Sequence, residues 1–180
     1  MQDAFWVFAY GSLMWRPGFP VAETQPAIVY GYHRAMCIWS THYRGTTEKP
    51  GLVLGLDRGG SCHGLALRVA KTRVKTVVAY LLERELMGGD VYLPRMLNAV
   101  FRDDRREPVY AFVANHAHST YAGHLRESRA ASFIRVAEGT NGTNRAYLAN
   151  TVEHIDAMGL ADDNLRHLLK AVDKSGRSAR

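Results

Sequence analysis

Two stretches of this sequence combine groups suited to chemistry. The first is the largely apolar run that carries Glu85. A carboxylate partly withdrawn from water has its charged form disfavoured. Its pKa rises, and it can take and return protons near neutral pH. The second is Tyr10-Gly11-Ser12-Leu13, directly after an aromatic-rich segment. Glycine lets a backbone approach a ligand closely, and successive N–H groups in such a turn can form an anion-binding nest. The Ser12 hydroxyl can donate or accept. Taken alone, a Gly-Ser after a strand also reads as a plain turn. It is not a Walker loop, because no Gly-Lys-Ser/Thr follows, nor a dinucleotide fingerprint, which needs two further glycines. Nor is it a Gly-x-Ser-x-Gly nucleophile elbow.

The elements that carry these residues decide their environments. Over residues 71–87, Val74, Val77, Val78, Leu81, Leu82 and Leu86 recur at three- and four-residue steps. That spacing predicts an amphipathic helix. With Val74 as origin and about 100° per residue, Val78 falls at about 40°, Leu81 at about 340° and Leu82 at about 80°. Glu85 falls at about 20°, in the middle of the apolar stripe, while Glu83 falls at about 180°, facing solvent. A charge on a buried face is costly unless it is paired or protonated. Two outcomes stay open. Glu85 is a half-buried acid–base group, or the helix ends near it, ahead of Gly88-Gly89, and it turns outward or pairs with an arginine.

Strands are expected at Phe5–Tyr10, Ala27–Trp39, Gly51–Leu56 and Gly64–Val69, where β-branched and aromatic residues run up to glycines or charges. Several short strands in succession suggest a sheet that curls into a small barrel. Val91–Phe101 and Val109–Ala114 return to extended character. Helices are expected over Arg126–Ala137, over Asn144–Met158 with Gly159 following, and from Asp162 or Asp163 to about Asp173. Strands first and helices mostly later make an α+β domain.

The chain has 180 residues, 47% of them hydrophobic, which fits one domain with a real core and is too short for two ordinary ones. No run of about 18 apolar residues predicts a membrane span. The opening Met1-Gln2-Asp3-Ala4-Phe5 does not read as a secretory signal. Cys37 and Cys62 are too few for a disulfide framework and read as small buried hydrophobes in a reducing, cytoplasmic compartment. The formal net charge of +6 is scattered rather than striped, and it suits anionic small molecules as well as a nucleic-acid surface. His116-Ala117-His118 offers two imidazoles, but zinc needs a third and usually a fourth ligand, so they read as loop histidines. Asn141-Gly142-Thr143 reads as a capping turn before a helix. Trp6, Trp15 and Trp39 read as core or pocket wall.

Taken together, several stretches resemble the ChaC-type, glutathione-specific gamma-glutamylcyclotransferases. They are FAYGSLMWRPGF at 8–19, YGYHRAMCIWSTHYRGTTEKPGLVLGL at 30–56, HGLALRV at 63–69 and YLLEREL with MGGDVYLPR through 95. VYAFVANHAHSTYAG at 109–123 and GTNRAYLANTVEHIDAMGLADDNLRHLL at 142–169 follow in order. The resemblance implies a gamma-glutamylcyclotransferase-like fold, a small mixed β-barrel flanked by helices. With the length, this gives one gamma-glutamylcyclotransferase-like domain over residues 1–174, and the composition at 175–180 reads as a basic, disordered tail. The resemblance also implies cleavage of glutathione to 5-oxoproline and cysteinylglycine, with no metal and no organic cofactor.

Within that resemblance, Glu85 matches the family's catalytic glutamate. Tyr10, Gly11, Ser12 and Leu13 match the loop that cradles the gamma-glutamyl group, and Arg44 and Tyr147 fall in motifs that contact substrate. One departure is the gap after the glutamate, where Leu86-Met87 precede Gly88-Gly89 and some relatives have a shorter segment. The expected partner is a small molecule, with no nucleic acid and no membrane. Two other functions remain open. One is a cyclotransferase acting on other gamma-glutamyl amino acids or gamma-glutamylamines. The other is a non-catalytic anion- or nucleic-acid-binding module.

Overall fold

Phe5–Ala9 (β1) is buried along nearly its whole length, as an aromatic and β-branched run at the centre of a sheet should be. In the computed structural model, which describes residues 5–86 and 89–174, this strand closes a five-stranded barrel. The other barrel strands are Glu23–Ser40 (β2), Gly51–Val69 (β3), Tyr92–Phe101 (β4) and Arg106–Ala114 (β5). Their order around the barrel is β1-β3-β2-β4-β5. β1 runs antiparallel to β3, with Phe5 opposite Val69, and parallel to β5, with Trp6 opposite Val109. β4 pairs antiparallel with both β2 and β5. The barrel is therefore mixed, and closure leaves it without an open edge.

The two strands expected at Gly51–Leu56 and Gly64–Val69 are one strand of 19 residues. The intervening Asp-Arg-Gly-Gly looks like a turn in sequence. Gly59 and Gly60 instead take φ values of 100° and 67° inside the strand. Such values suit glycine, so the chain bends there without ending the ladder.

The described residues fall into two compact units. The first holds those up to Arg34 together with Leu56–Asn115. It contains β1, β4, β5 and the larger parts of β2 and β3. It also holds the helix Val74–Leu86 (α1), which follows a 3-10 turn at Lys71–Arg73. Val77 and Leu81 of α1 are buried, as the stripe predicts, and Glu83 is exposed.

The second unit holds Ala35–Gly55 and the described residues from His116 onward. It carries helices Glu127–Val136 (α2), Asn144–Ala157 (α3) and Asp163–Lys174 (α4), with a small hairpin of Glu138–Gly139 (β6) and Gly142–Thr143 (β7). Ile134, Leu148, Ile155 and Leu165 are fully buried here, so the three helices share one apolar core. The caps follow the sequence. Thr143 Oγ1 accepts from the Ala146 N–H at 3.2 Å, and Asp162 Oδ1 accepts from the Leu165 N–H at 3.1 Å. Gly159, at φ 69°, ends α3 in a Schellman motif. Leu160 N–H donates to Ile155 O at 3.1 Å and Gly159 N–H to Asp156 O at 2.9 Å. No helix among the described residues is long and apolar enough to cross a membrane. The tail at 175–180 lies outside the described residues.

Candidate active site

The loop after β1 is gripped from the core side. Arg34 of β2 is buried, and its guanidinium donates to the carbonyl oxygens of Tyr10 and His63, each at 2.5 Å. A trans peptide points its C=O and the following N–H in opposite directions. With Tyr10 O turned to Arg34, the Gly11 N–H is aimed away from that guanidinium. Ser12–Met14 then form one 3-10 turn, closed by Met14 N–H to Gly11 O at 2.9 Å and Arg16 N–H to Ser12 O at 2.7 Å. The N–H groups of Gly11, Ser12 and Leu13 have no hydrogen-bond partner among the described residues. Tyr10 and Leu13 are buried, while Ser12 is exposed. The loop thus offers consecutive unclaimed donors and a hydroxyl on a backbone fixed from below.

Glu85 occupies the last turn of α1, one residue before its end at Leu86. Its side chain is 20% exposed, and Arg84 Nε lies 3.4 Å from Oε1. Both sequence outcomes are thus partly realised: the helix does end here and an arginine does pair with the acid. Burial nevertheless wins. Desolvation pushes the Glu85 carboxyl above its ordinary 4.5, and the Arg84 charge only partly offsets that. No hydrogen bond reaches either Glu85 oxygen among the described residues, so the carboxylate retains acceptor capacity. Met87 and Gly88, in the gap noted after the glutamate, lie outside the described residues.

Loop and helix meet through two more residues. Gly18 has a φ of 76°, and a Cβ there would run into the Tyr80 hydroxyl, so only glycine allows Tyr80 of α1 this approach. Arg84 donates from Nη1 to Tyr80 Oη at 3.0 Å and to Arg16 O at 2.7 Å, and from Nη2 to Ser12 Oγ at 3.0 Å. One guanidinium therefore touches both the Ser12 hydroxyl and the Glu85 carboxylate. The structure brings together the residues that the sequence marked separately in this unit.

Arg44 and Tyr147 both lie in the second unit and are neighbours there. The Arg44 guanidinium sits 5.3 Å from the centre of the Tyr147 ring and donates to Asn141 O at 2.5 Å. The Tyr147 hydroxyl accepts from the Leu54 N–H at 3.2 Å. Asn144, buried on the same helix, pairs with both backbone groups of Leu52 at 2.7 Å. His118 bonds Thr120 and His116 stacks on Tyr121, as loop histidines do. Cys37 and Cys62 are buried thiols.

Sequence reasoning passed over Arg34, Arg84 and Asn144. Arg34 had a signal: it shares its alternation with Met36 and Ile38, so the strand period places a charge on an apolar face. Asn144 reads locally as a helix start, and nothing local reveals its tie to Leu52.

A model of the family described as ChaC-like protein matches residues 5–175. A glutathione-specific gamma-glutamylcyclotransferase of Escherichia coli (strain K12) is 34% identical over 173 residues, covering 96% of this chain and 74% of that protein. Glutathione-specific gamma-glutamylcyclotransferase 1 of Mus musculus is 31% identical over 177 residues, covering 94% and 78%. The crystal structure of a yeast gamma-glutamyl cyclotransferase specific to glutathione matches with a TM-score of 0.82 at 20% identity, over 96% of this chain and 97% of that one. That likeness bears out the α+β barrel fold expected from the sequence. On the family model and these relatives, the chain belongs to the ChaC-like protein family.

Proposed function

We propose that this protein cleaves glutathione by intramolecular attack of the gamma-glutamyl amine on its own gamma-carbonyl, with Glu85 as general base. The observation that carries the reading is the Glu85 carboxylate. It is raised in pKa by burial, accepts no hydrogen bond among the described residues, and shares a guanidinium with the exposed Ser12 hydroxyl. The names of the relatives supply the substrate. Glu85 takes a proton from the substrate amine, whose nitrogen then bonds to the gamma-carbon and closes a five-membered ring. Well-oriented attack within one molecule can be worth roughly 7–11 kcal/mol, so the main task is holding the folded conformer. The carbonyl oxygen gains negative charge, and the N–H groups of Gly11, Ser12 and Leu13 suit that oxygen or the substrate carboxylate. The gamma-amide C–N bond then breaks, and protonated Glu85 returns its proton to the leaving amine of cysteinylglycine. The ring product is 5-oxoproline. No water is consumed.

Arg44 and Tyr147 are carried as proposed substrate contacts on the resemblance, tested by whether Arg44→Ala raises KM for glutathione. Two buried thiols suit the reducing, cytoplasmic setting expected from the sequence. The test of the whole reading is to incubate the protein with reduced glutathione and measure 5-oxoproline and cysteinylglycine, with Glu85→Gln alongside. Product from wild type and none from a folded Glu85→Gln supports reaction and base. Product from both keeps the reaction and removes Glu85 from its role. Product only from other gamma-glutamyl compounds reassigns the substrate.

A further inference from the structure

Arg84 makes contacts that a surface arginine has no need of. Its side chain is 24% exposed. Its donors reach Ser12 Oγ, Arg16 O and, at 3.3 Å, Pro17 O on the loop, as well as Tyr80 Oη on its own helix. Arginine carries donors only. At Ser12 the hydroxyl oxygen must therefore accept, and its single proton points away from Arg84. A serine free to rotate would split its proton among several directions, whereas this one has a direction removed.

We propose that Arg84 is a positioning residue of the gamma-glutamyl site. It clamps the last turn of α1 to the loop at residues 12–17 and fixes the Ser12 hydroxyl as a donor to a substrate oxygen. The proposal rests on the cleavage reading given above and adds to it a residue that does not itself react. Lysine at this position keeps a charge but cannot reach the loop carbonyls, Tyr80 and Ser12 together, because it lacks the planar fork.

The test is a cycle of Arg84→Ala, Ser12→Ala and the double variant, read as kcat/KM for glutathione. Hydrogen exchange over residues 12–17 and thermal midpoints are measured alongside. Arg84→Ala is expected to lose about 10- to 100-fold in kcat/KM, somewhat less than the loss of a direct oxyanion donor. The double variant is expected to be no worse than the poorer single variant, since both remove one oriented hydroxyl. Millimolar guanidinium ion is expected to restore part of the Arg84→Ala rate. Exchange over residues 12–17 is expected to quicken with the thermal midpoint little changed. Wild-type rates in Arg84→Ala, or losses that multiply in the double variant, overturn the proposal. A lowered midpoint without guanidinium rescue reduces Arg84 to a structural residue and also overturns it. If the wild type fails to cleave glutathione, the cleavage reading falls. Unchanged exchange at residues 12–17 in Arg84→Ala would separately refute the clamp.

Discussion

The two units secure their polar residues in opposite ways. In the first, arginines hold carbonyl oxygens of the loop, Arg34 from within and Arg84 from the helix, and the N–H groups of Gly11, Ser12 and Leu13 have no partner among the described residues. The Glu85 carboxylate, ion-paired with Arg84 at one oxygen, likewise keeps acceptor capacity at a cost in desolvation. In the second unit, polar side chains are engaged by the fold itself. Asn144 completes the backbone bonding of Leu52, and the Tyr147 hydroxyl receives Leu54 N–H. Gly51 packs so closely that a Cβ would collide with Arg44 O and lie 2.9 Å from Asn144 Oδ1. Buried polar groups left unpaired are expensive, so where they persist they point to a ligand. Where they are satisfied internally they hold the chain in place.

Substitutions can break this contrast, and Glu85→Gln should have the largest effect. It is expected to lower kcat for glutathione cleavage by about 10²- to 10⁴-fold, the usual worth of a positioned general base, while circular dichroism stays that of the wild type. In the second unit, Asn144→Ala leaves both backbone groups of Leu52 unpaired in a buried site. It should destabilise the protein by about 2–6 kcal/mol, at roughly 1–3 kcal/mol per unsatisfied group. An unaltered denaturation midpoint would remove Asn144 from its structural role. Gly51→Ala should cost about 1–3 kcal/mol through overpacking, seen as a lowered melting temperature.

The smallest effect sharpens the contrast most. The folded state binds the Glu85 proton more tightly than the unfolded chain does, because its pKa is raised above 4.5. Stability from this group is therefore present below the ordinary carboxylate pKa and lost as pH rises through the raised value. Glutamine carries no such charge. Glu85→Gln should melt slightly above wild type at pH 7, with the gap closing as pH falls toward 4.5. A variant that melts below wild type at pH 7 would mean that the Arg84 pair outweighs burial.

Much of the first unit was legible because its signals are local. The three- and four-residue spacing from Val74 to Leu86 marked Glu85 as misplaced, and Glu83, two residues away, is exposed as the same geometry requires. The helix caps at Thr143, Asp162 and Gly159 were likewise written in neighbouring residues. β3 was misread as two strands because Gly59-Gly60 signals a turn by composition, while the ladder partners that carry the strand through are distant in sequence.

The sequence by itself singled out the candidate residues: one acid on an apolar stripe, one glycine–serine turn after a strand, and the motifs of a family. Periodicity reports the next turn of a helix or the next pleat of a strand, so it reaches four or five residues and no further. Only the tertiary structure decided how those residues are held. The contacts that matter span 24 residues from Arg34 to Tyr10, 72 from Arg84 to Ser12 and 92 from Asn144 to Leu52. Each is a hydrogen bond between groups that the folded chain alone brings within 3 Å or so, and no local pattern encodes a bond of that reach.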